Sequence, residues 1–129
     1  MAQIKIYGNA AFLGESRNLI SDVIHSCVVD ALALPQDKRF HRFLPLEKED
    51  FIYPPDRSEK YVIIEVSMFE GRTVETKKKL IHLLFSRLSV QVGIRPVDLE
   101  ITITETPKHN WGIRGLAGDE LNLNYKVEQ

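Results

Sequence analysis

An apolar stretch from Tyr61 to Phe69 that leads straight into a helical pattern is the strongest constraint on the fold. The stretch, YVIIEVSMF, is rich in β-branched and aromatic residues, which is typical of a strand covered on both faces. Arg72 and Thr73 follow closely and open a predicted helix over residues 74–92. The sequence therefore predicts a buried strand that delivers Arg72 to the N-terminal end of a helix.

The position of Arg72 has two interpretations. Backbone N–H groups at a helix start, the helix dipole and a guanidinium can together bind a small anion such as a carboxylate. Alternatively, Arg72 is a surface residue that forms an ion pair with a neighbour.

A similar strand–helix–strand order precedes this unit. Residues 3–7 alternate polar and apolar, residues 16–32 carry apolar side chains at helical spacing, and Pro35 ends that helix. Further strands are predicted at 39–46 and 99–104. Two βαβ units with right-handed crossovers predict an α/β (α+β) fold, in which two helices cover one face of a four-stranded mixed sheet. Because the strands are interpreted as apolar on both sides, other copies of the chain are expected to cover the second face.

The 129 residues are predicted to form one domain. The proposed division is a pseudo-repeat over 1–47 and 60–105, with a C-terminal hairpin or tail over 106–129. That tail includes a possible short strand from Leu121 to Val127.

Composition argues against several classes of partner. Seventeen basic and eighteen acidic residues leave a formal charge of −1, so there is no basic field of the kind that binds nucleic acid. No apolar segment is long enough to cross a membrane, and the single cysteine, Cys27, is predicted to be a buried structural thiol. The four histidines lack ligand spacing, so neither a metal site nor a cofactor is predicted. The expectation is a cytoplasmic protein whose partner is a small molecule or a protein, with no nucleic acid and no membrane.

Several segments resemble the tautomerase superfamily in their order and spacing. They are Leu34-Pro35 through Arg39-Phe40, Leu46 through Phe51, Asp56-Arg57-Ser58, Gly71-Arg72, Gly93-Ile94, and Asn110-Trp111-Gly112 with Gly115. The resemblance covers nearly the whole chain and is closest to the long-chain group that includes malonate semialdehyde decarboxylase and its bacterial relatives. It implies a MIF-like homotrimer in which three sheets form a central barrel, with active sites near each N-terminus and between subunits.

The chemistry that the resemblance implies starts from the N-terminal amine. In this family an N-terminal proline, exposed by removal of the initiator Met, acts as a general base or acid, because partial desolvation lowers the pKa of an α-amine toward neutrality. Ala2 stands in the register of that proline and could act as a base or form an imine. If Met1 is retained, the amine lies one residue out of place.

Two further catalytic residues follow from the same resemblance. Arg72 matches a family arginine that binds the substrate carboxylate. The second arginine of the decarboxylase falls at Glu70, and its acidic residue falls at Lys38, although the adjacent Asp37 could replace that acid. Ala2, Arg72 and Asp37 are thus the candidate catalytic residues of an isomerase or lyase that acts on a small 2-oxo acid or related carboxylate.

Four residues are candidates for substrate binding. Phe51 and Trp111 would form apolar walls, although Trp111 could equally pack at a subunit boundary. Arg39 could reach the pocket or form an intersubunit ion pair, and Arg114 is suggested as a second cation by its loop position. The alternative hypothesis is a non-catalytic trimer that binds a small carboxylate or another partner, because the proline, the second arginine and the register-matched acid are all missing.

Overall fold

In the computed structural model, which describes residues 2–121 and 127, two strand–helix–strand units follow one another along the chain. The main elements are β1 (Ala2–Asn9), α1 (Ala10–Leu32), β2 (His41–Leu46), β3 (Val62–Phe69), α2 (Val74–Val92), β4 (Leu99–Thr106), β5 (Gly112–Ile113) and β6 (Leu116–Ala117). Residues 122–126 of the possible C-terminal strand lie outside the described residues.

The four long strands form one mixed sheet in the order β2-β1-β3-β4. β1 runs parallel to β2 and antiparallel to β3, and β3 runs parallel to β4. Both helices pack on the same face of this sheet and contribute to one hydrophobic core. The predicted architecture, two helices on one face of a four-stranded mixed sheet, is therefore confirmed.

The core lies between the helices and alternate strand residues, because successive strand side chains point to opposite faces. The buried thiol of Cys27 confirms its predicted structural place. None of the helices in the described part of the chain is long and apolar enough to cross a membrane. The largest fully buried core side chains are Ile4, Ile6, Leu13, Ile20, Ile24, Leu32, Ile64, Met68, Leu80, Leu84 and Leu88.

The second face of the sheet is polar, so the expectation of strands apolar on both sides is wrong. One row across this face runs from Arg42 through Lys5 and Glu65 to Thr102. Tyr7 Oη donates a hydrogen bond of 2.7 Å to Glu65 Oε1 on the same face. The sequence of β3 is almost entirely apolar, which concealed this alternation. Glu65 and the residues two positions before and after it point away from the core.

Candidate active site

Ala2 and Arg72 lie at the same end of the sheet. Ala2 pairs with Met68 near the end of the antiparallel strand β3, and Arg72 follows that strand immediately before Thr73, the N-cap of α2. The Thr73 hydroxyl accepts a 3.1 Å hydrogen bond from the backbone N–H of Thr76, which fixes the helix start beside Arg72. Strand register therefore brings together two residues that are far apart in the sequence.

Both residues are buried. Only 5% of the surface of Arg72 and 4% of that of Ala2 is exposed. Arg72 is therefore not a surface side chain in the subunit, although an ion pair with a neighbour stays compatible with its burial. Ala2 points toward the helices, in the same row of the sheet as Met68 and Glu105.

The segment that carries Asp37 and Arg39 leads into β2 at this same end. Asp37 lies in an exposed turn, and the carbonyl of Phe40 accepts a 2.9 Å hydrogen bond from the Ile4 N–H, so the segment enters the sheet beside the start of β1. Arg39 Nη1 lies 2.6 Å from Asp22 Oδ1 on α1. Within the subunit, Arg39 is thus engaged in an ion pair with its own chain.

Trp111 and Arg114 follow the end of β4, which also lies at the Ala2 end. The Trp111 ring packs edge-to-face on Phe69, the last residue of β3, with ring centroids 5.1 Å apart. Arg114 and Gly115, with φ of 51° and 86°, form the two-residue turn between β5 and β6, where positive φ is needed at both positions. Both Trp111 and Arg114 line a shallow cavity of about 530 Å³.

Phe51 is placed at the opposite end of the sheet. Its ring stacks on Tyr61, which immediately precedes β3, at a centroid distance of 5.6 Å, and it packs against Tyr53 at 5.0 Å. The start of β3 pairs with Gly8, far along β1 from Ala2. Within one subunit, Phe51 therefore does not reach the end that holds Ala2, Arg72, Asp37 and Trp111.

At the Ala2 end, a partly buried ion pair joins two residues that the sequence analysis did not select as site residues. Lys77 Nζ, in the first turns of α2, lies 2.7 Å from Glu105 Oε1 near the end of β4. The alternation of β4 carries a usable signal, because it places Glu105 on the same face as the apolar Ile101 and Ile103. A carboxylate on the helix-facing side of a strand needs a partner, and Lys77 supplies it.

Two histidines form a second cluster that sequence reasoning missed. His25 is buried on α1, and its ring lies edge-to-face to that of His41, with centroids 6.1 Å apart. Burial, followed by the nearby His25 and the charge of Arg39, lowers the pKa of His41 to about 4. His25 contacts the segment that carries Asp37 through the Gln36 carbonyl, and His41 follows that segment as the first residue of β2.

Among the described residues, no group of His, Cys, Asp and Glu side chains is arranged to hold a metal ion.

Comparison with known proteins assigns the family. The sequence profile of the family described as "Tautomerase enzyme" matches residues 38–114. Probable tautomerase YusQ of Bacillus subtilis (strain 168) is 27% identical over 97 residues, which cover 71% of this chain and 76% of that protein. A 2-hydroxymuconate tautomerase of Comamonas testosteroni is 37% identical over 57 residues, which cover 44% of this chain and 90% of that protein. The chain belongs to the tautomerase family, as the resemblance predicted.

Solved structures agree with this assignment. FG41 malonate semialdehyde decarboxylase inhibited by 3-bromopropiolate is 31% identical, with a TM-score of 0.77, over 85% of this chain and 87% of that chain. A fused 4-OT wild type asymmetric trimer shares the fold, with a TM-score of 0.80 at 18% identity, over 91% of this chain and 96% of that chain. The family match and the sequence similarity to tautomerases support tautomerase-like activity.

Proposed function

We propose that this protein is an isomerase, or a related lyase, that acts on a small 2-oxo acid or similar carboxylate by amine-mediated proton transfer. The observation that carries the proposal is the strand register that brings the start of β1 to the same sheet end as the buried Arg72. A guanidinium at a helix start is suited to a carboxylate, because it offers paired N–H donors beside the positive end of the helix dipole.

Each residue has a role in this mechanism. After removal of Met1, the amine of Ala2 accepts the hydroxyl proton of a bound enol and returns a proton to carbon. Partial desolvation of an α-amine at this position would favour its neutral, basic form, because desolvation disfavours the charged form. Arg72 binds the carboxylate, and Asp37 serves as a second proton-transfer or orienting group.

The remaining candidates complete a site formed between subunits of a homotrimer. Trp111 forms an apolar wall at the Ala2 end, and Arg114 supplies a further cation from the hairpin turn. Phe51 and Arg39 contribute from a neighbouring subunit or support the site indirectly, since Phe51 lies at the other end of its own sheet. The trimeric fused 4-OT structure, which has the same fold, supports this assembly.

The first test combines intact mass, which establishes the N-terminal residue, with ketonisation assays on phenylpyruvate and 2-hydroxymuconate. We expect a chain that starts at Ala2 and ketonises at least one compound. Arg72→Ala is expected to lower kcat/KM by roughly 10- to 100-fold, because hydrogen bonds to a charged partner contribute about 1.5–3 kcal/mol. The control is Arg17→Ala, which removes an exposed arginine of α1 and is expected to leave kcat/KM unchanged.

A second candidate function is supported by Ala2 itself, which stands where the family has its proline. In this alternative the trimer binds a small carboxylate without turning it over. Inert wild-type protein together with activity gained in Ala2→Pro would favour the binding function, because the pocket would then accept the substrate and lack only the base. Equal activity of wild type and Arg72→Ala would contradict the role of Arg72 in both functions.

A further inference from the structure

A buried hydrogen bond connects α1 to the turn that carries Asp37. His25 Nε2 lies 2.8 Å from the backbone carbonyl oxygen of Gln36, and only 2% of the surface of His25 is exposed. A carbonyl oxygen can only accept, so Nε2 carries the hydrogen and donates it. The helix thereby holds the backbone of the residue that immediately precedes Asp37.

The other ring nitrogen of His25 does not share in this link. His25 Nδ1 is buried and has no hydrogen-bond partner among the described residues. The hydrogen bond from Nε2 to the Gln36 carbonyl is therefore the contact that links the His25 ring to the turn.

His41 packs against His25 from the side of β2 and is itself in contact with Ser21. His41 packs edge-to-face against His25, and its own Nδ1 lies 2.8 Å from Ser21 Oγ. Arg39 Nη1 lies 3.4 Å from the same hydroxyl and 2.6 Å from Asp22 Oδ1. These contacts join α1 to the β2 end of the segment between the helix and β2.

The segment held in this way is hydrogen-bonded to the start of β1. The N–H of Lys38 donates to the carbonyl of Pro35 at 3.0 Å, which closes the turn around Asp37. Two residues later, the carbonyl of Phe40 accepts the N–H of Ile4, which is two residues after Ala2 on β1. A shift of the turn would therefore move Asp37 relative to Ala2 while leaving the start of α2, and hence Arg72, in place.

We propose that His25 is a positioning residue for this site, which holds the turn so that Asp37 keeps its place relative to the N-terminal amine. The inference rests on the proposed function, since it gives His25 a role only through Asp37. It adds a residue that contacts neither substrate nor amine.

The test compares His25→Gln, whose side-chain amide nitrogen can replace Nε2 as a donor, with His25→Leu, which has no donor. In the ketonisation assay, His25→Leu is expected to lower kcat roughly tenfold with KM changed by less than about twofold, because the carboxylate contact of Arg72 is unaffected. His25→Gln is expected to recover most of kcat. In an Asp37→Ala background, His25→Leu is expected to have no further effect, because residues that act through one another are not additive.

Hydrogen exchange at the Lys38 amide gives a readout that does not depend on turnover. We expect exchange roughly fivefold or more faster in His25→Leu than in wild type, and close to wild type in His25→Gln, because loss of the bond lets the turn open locally. Equal kcat in wild type and His25→Leu, or full additivity with Asp37→Ala, would overturn the inference. If wild type does not turn over any substrate, the proposed function fails, and equal exchange in the Leu and Gln variants then overturns the positioning role as well.

Discussion

At the scale of single residues, His41 makes the stability of the fold depend on pH. Its imidazole has a folded-state pKa of about 4, against an ordinary value of 6.5, chiefly because its partly buried position desolvates the charged form and also because of the electrostatic effects of His25 and Arg39. Above pH 6.5 the imidazole is neutral in both the folded and the unfolded chain, so its stabilising contribution is fully present. As the pH falls from 6.5 through about 4, the unfolded chain binds the proton first, and this contribution is lost.

We therefore predict that the free energy of unfolding of wild type falls between pH 7 and pH 4 by up to about 2–3 kcal/mol more than that of His41→Asn. Asn is the matched control because its amide can still contact the Ser21 hydroxyl but does not titrate. Urea denaturation of both proteins at several pH values measures the difference. A constant difference across this range would mean that folding does not lower the pKa of His41.

Residue-scale features also mark what the sequence could and could not reveal about the site. Arg72 was predictable because it stands at the junction of an apolar strand and a helix, both of which are local patterns. Its proximity to the start of β1 depends on the antiparallel register of β1 and β3, which is set by long-range packing. His25 was missed for a similar reason, since its partner, the Gln36 carbonyl, is a backbone atom without a sequence signature.

At the scale of elements, the two helices end in the same way with different residues. Ala33 follows α1 with a φ of 54°, and Gly93 follows α2 with a φ of 80°, so the backbone of both residues is in the left-handed helical conformation. The N–H of each also donates back to a carbonyl in the last turn of its helix. Glycine adopts this conformation without the steric cost that a Cβ atom imposes.

Exchange of these two residues gives opposite predicted effects. Ala33→Gly is expected to stabilise the protein slightly or leave it unchanged, because relief of about 1 kcal/mol of strain is partly offset by the greater freedom of glycine in the unfolded chain. Gly93→Ala is expected to destabilise it by about 1 kcal/mol, because strain is introduced where glycine had none. Thermal unfolding of both variants is the measurement. Equal destabilisation by the two substitutions would contradict the argument.

Capping explains why one helix was located better than the other. The predicted range of α2, residues 74–92, matches the structure, because Thr73 caps its start and Gly93 closes its end. Helix α1 begins at Ala10, before the predicted start at Ser16, and its first turn offers no comparable signal: Asn9 makes no side-chain cap and no acidic residue is present there. The side-chain amide of Asn9 instead donates to Tyr53 Oη and to the Glu59 carbonyl, contacts that only the tertiary fold provides.

At the scale of the whole molecule, the proposed trimer requires the polar face of the sheet to meet other subunits. Ile63 lies half-buried on this face, opposite Tyr7 and Glu100 and next to Glu65 along the strand. A carboxylate at position 63 is accessible to water in a free subunit. In a trimer whose sheets pack together, it would be desolvated beside existing carboxylates, and an uncompensated buried charge costs several kcal/mol.

We therefore predict that Ile63→Asp dissociates the trimer into folded monomers. Val90→Asp is the matched control, because Val90 is 82% exposed on α2, on the helix side of the subunit, and the same change there should leave the trimer intact. Sedimentation equilibrium measures the mass of each protein, and circular dichroism checks that each is folded. A monomeric wild type would refute the trimer itself. If Ile63→Asp stays trimeric, the subunits associate through a surface other than the polar face of the sheet. The residues that a neighbouring subunit contributes to the site would then differ from those proposed above.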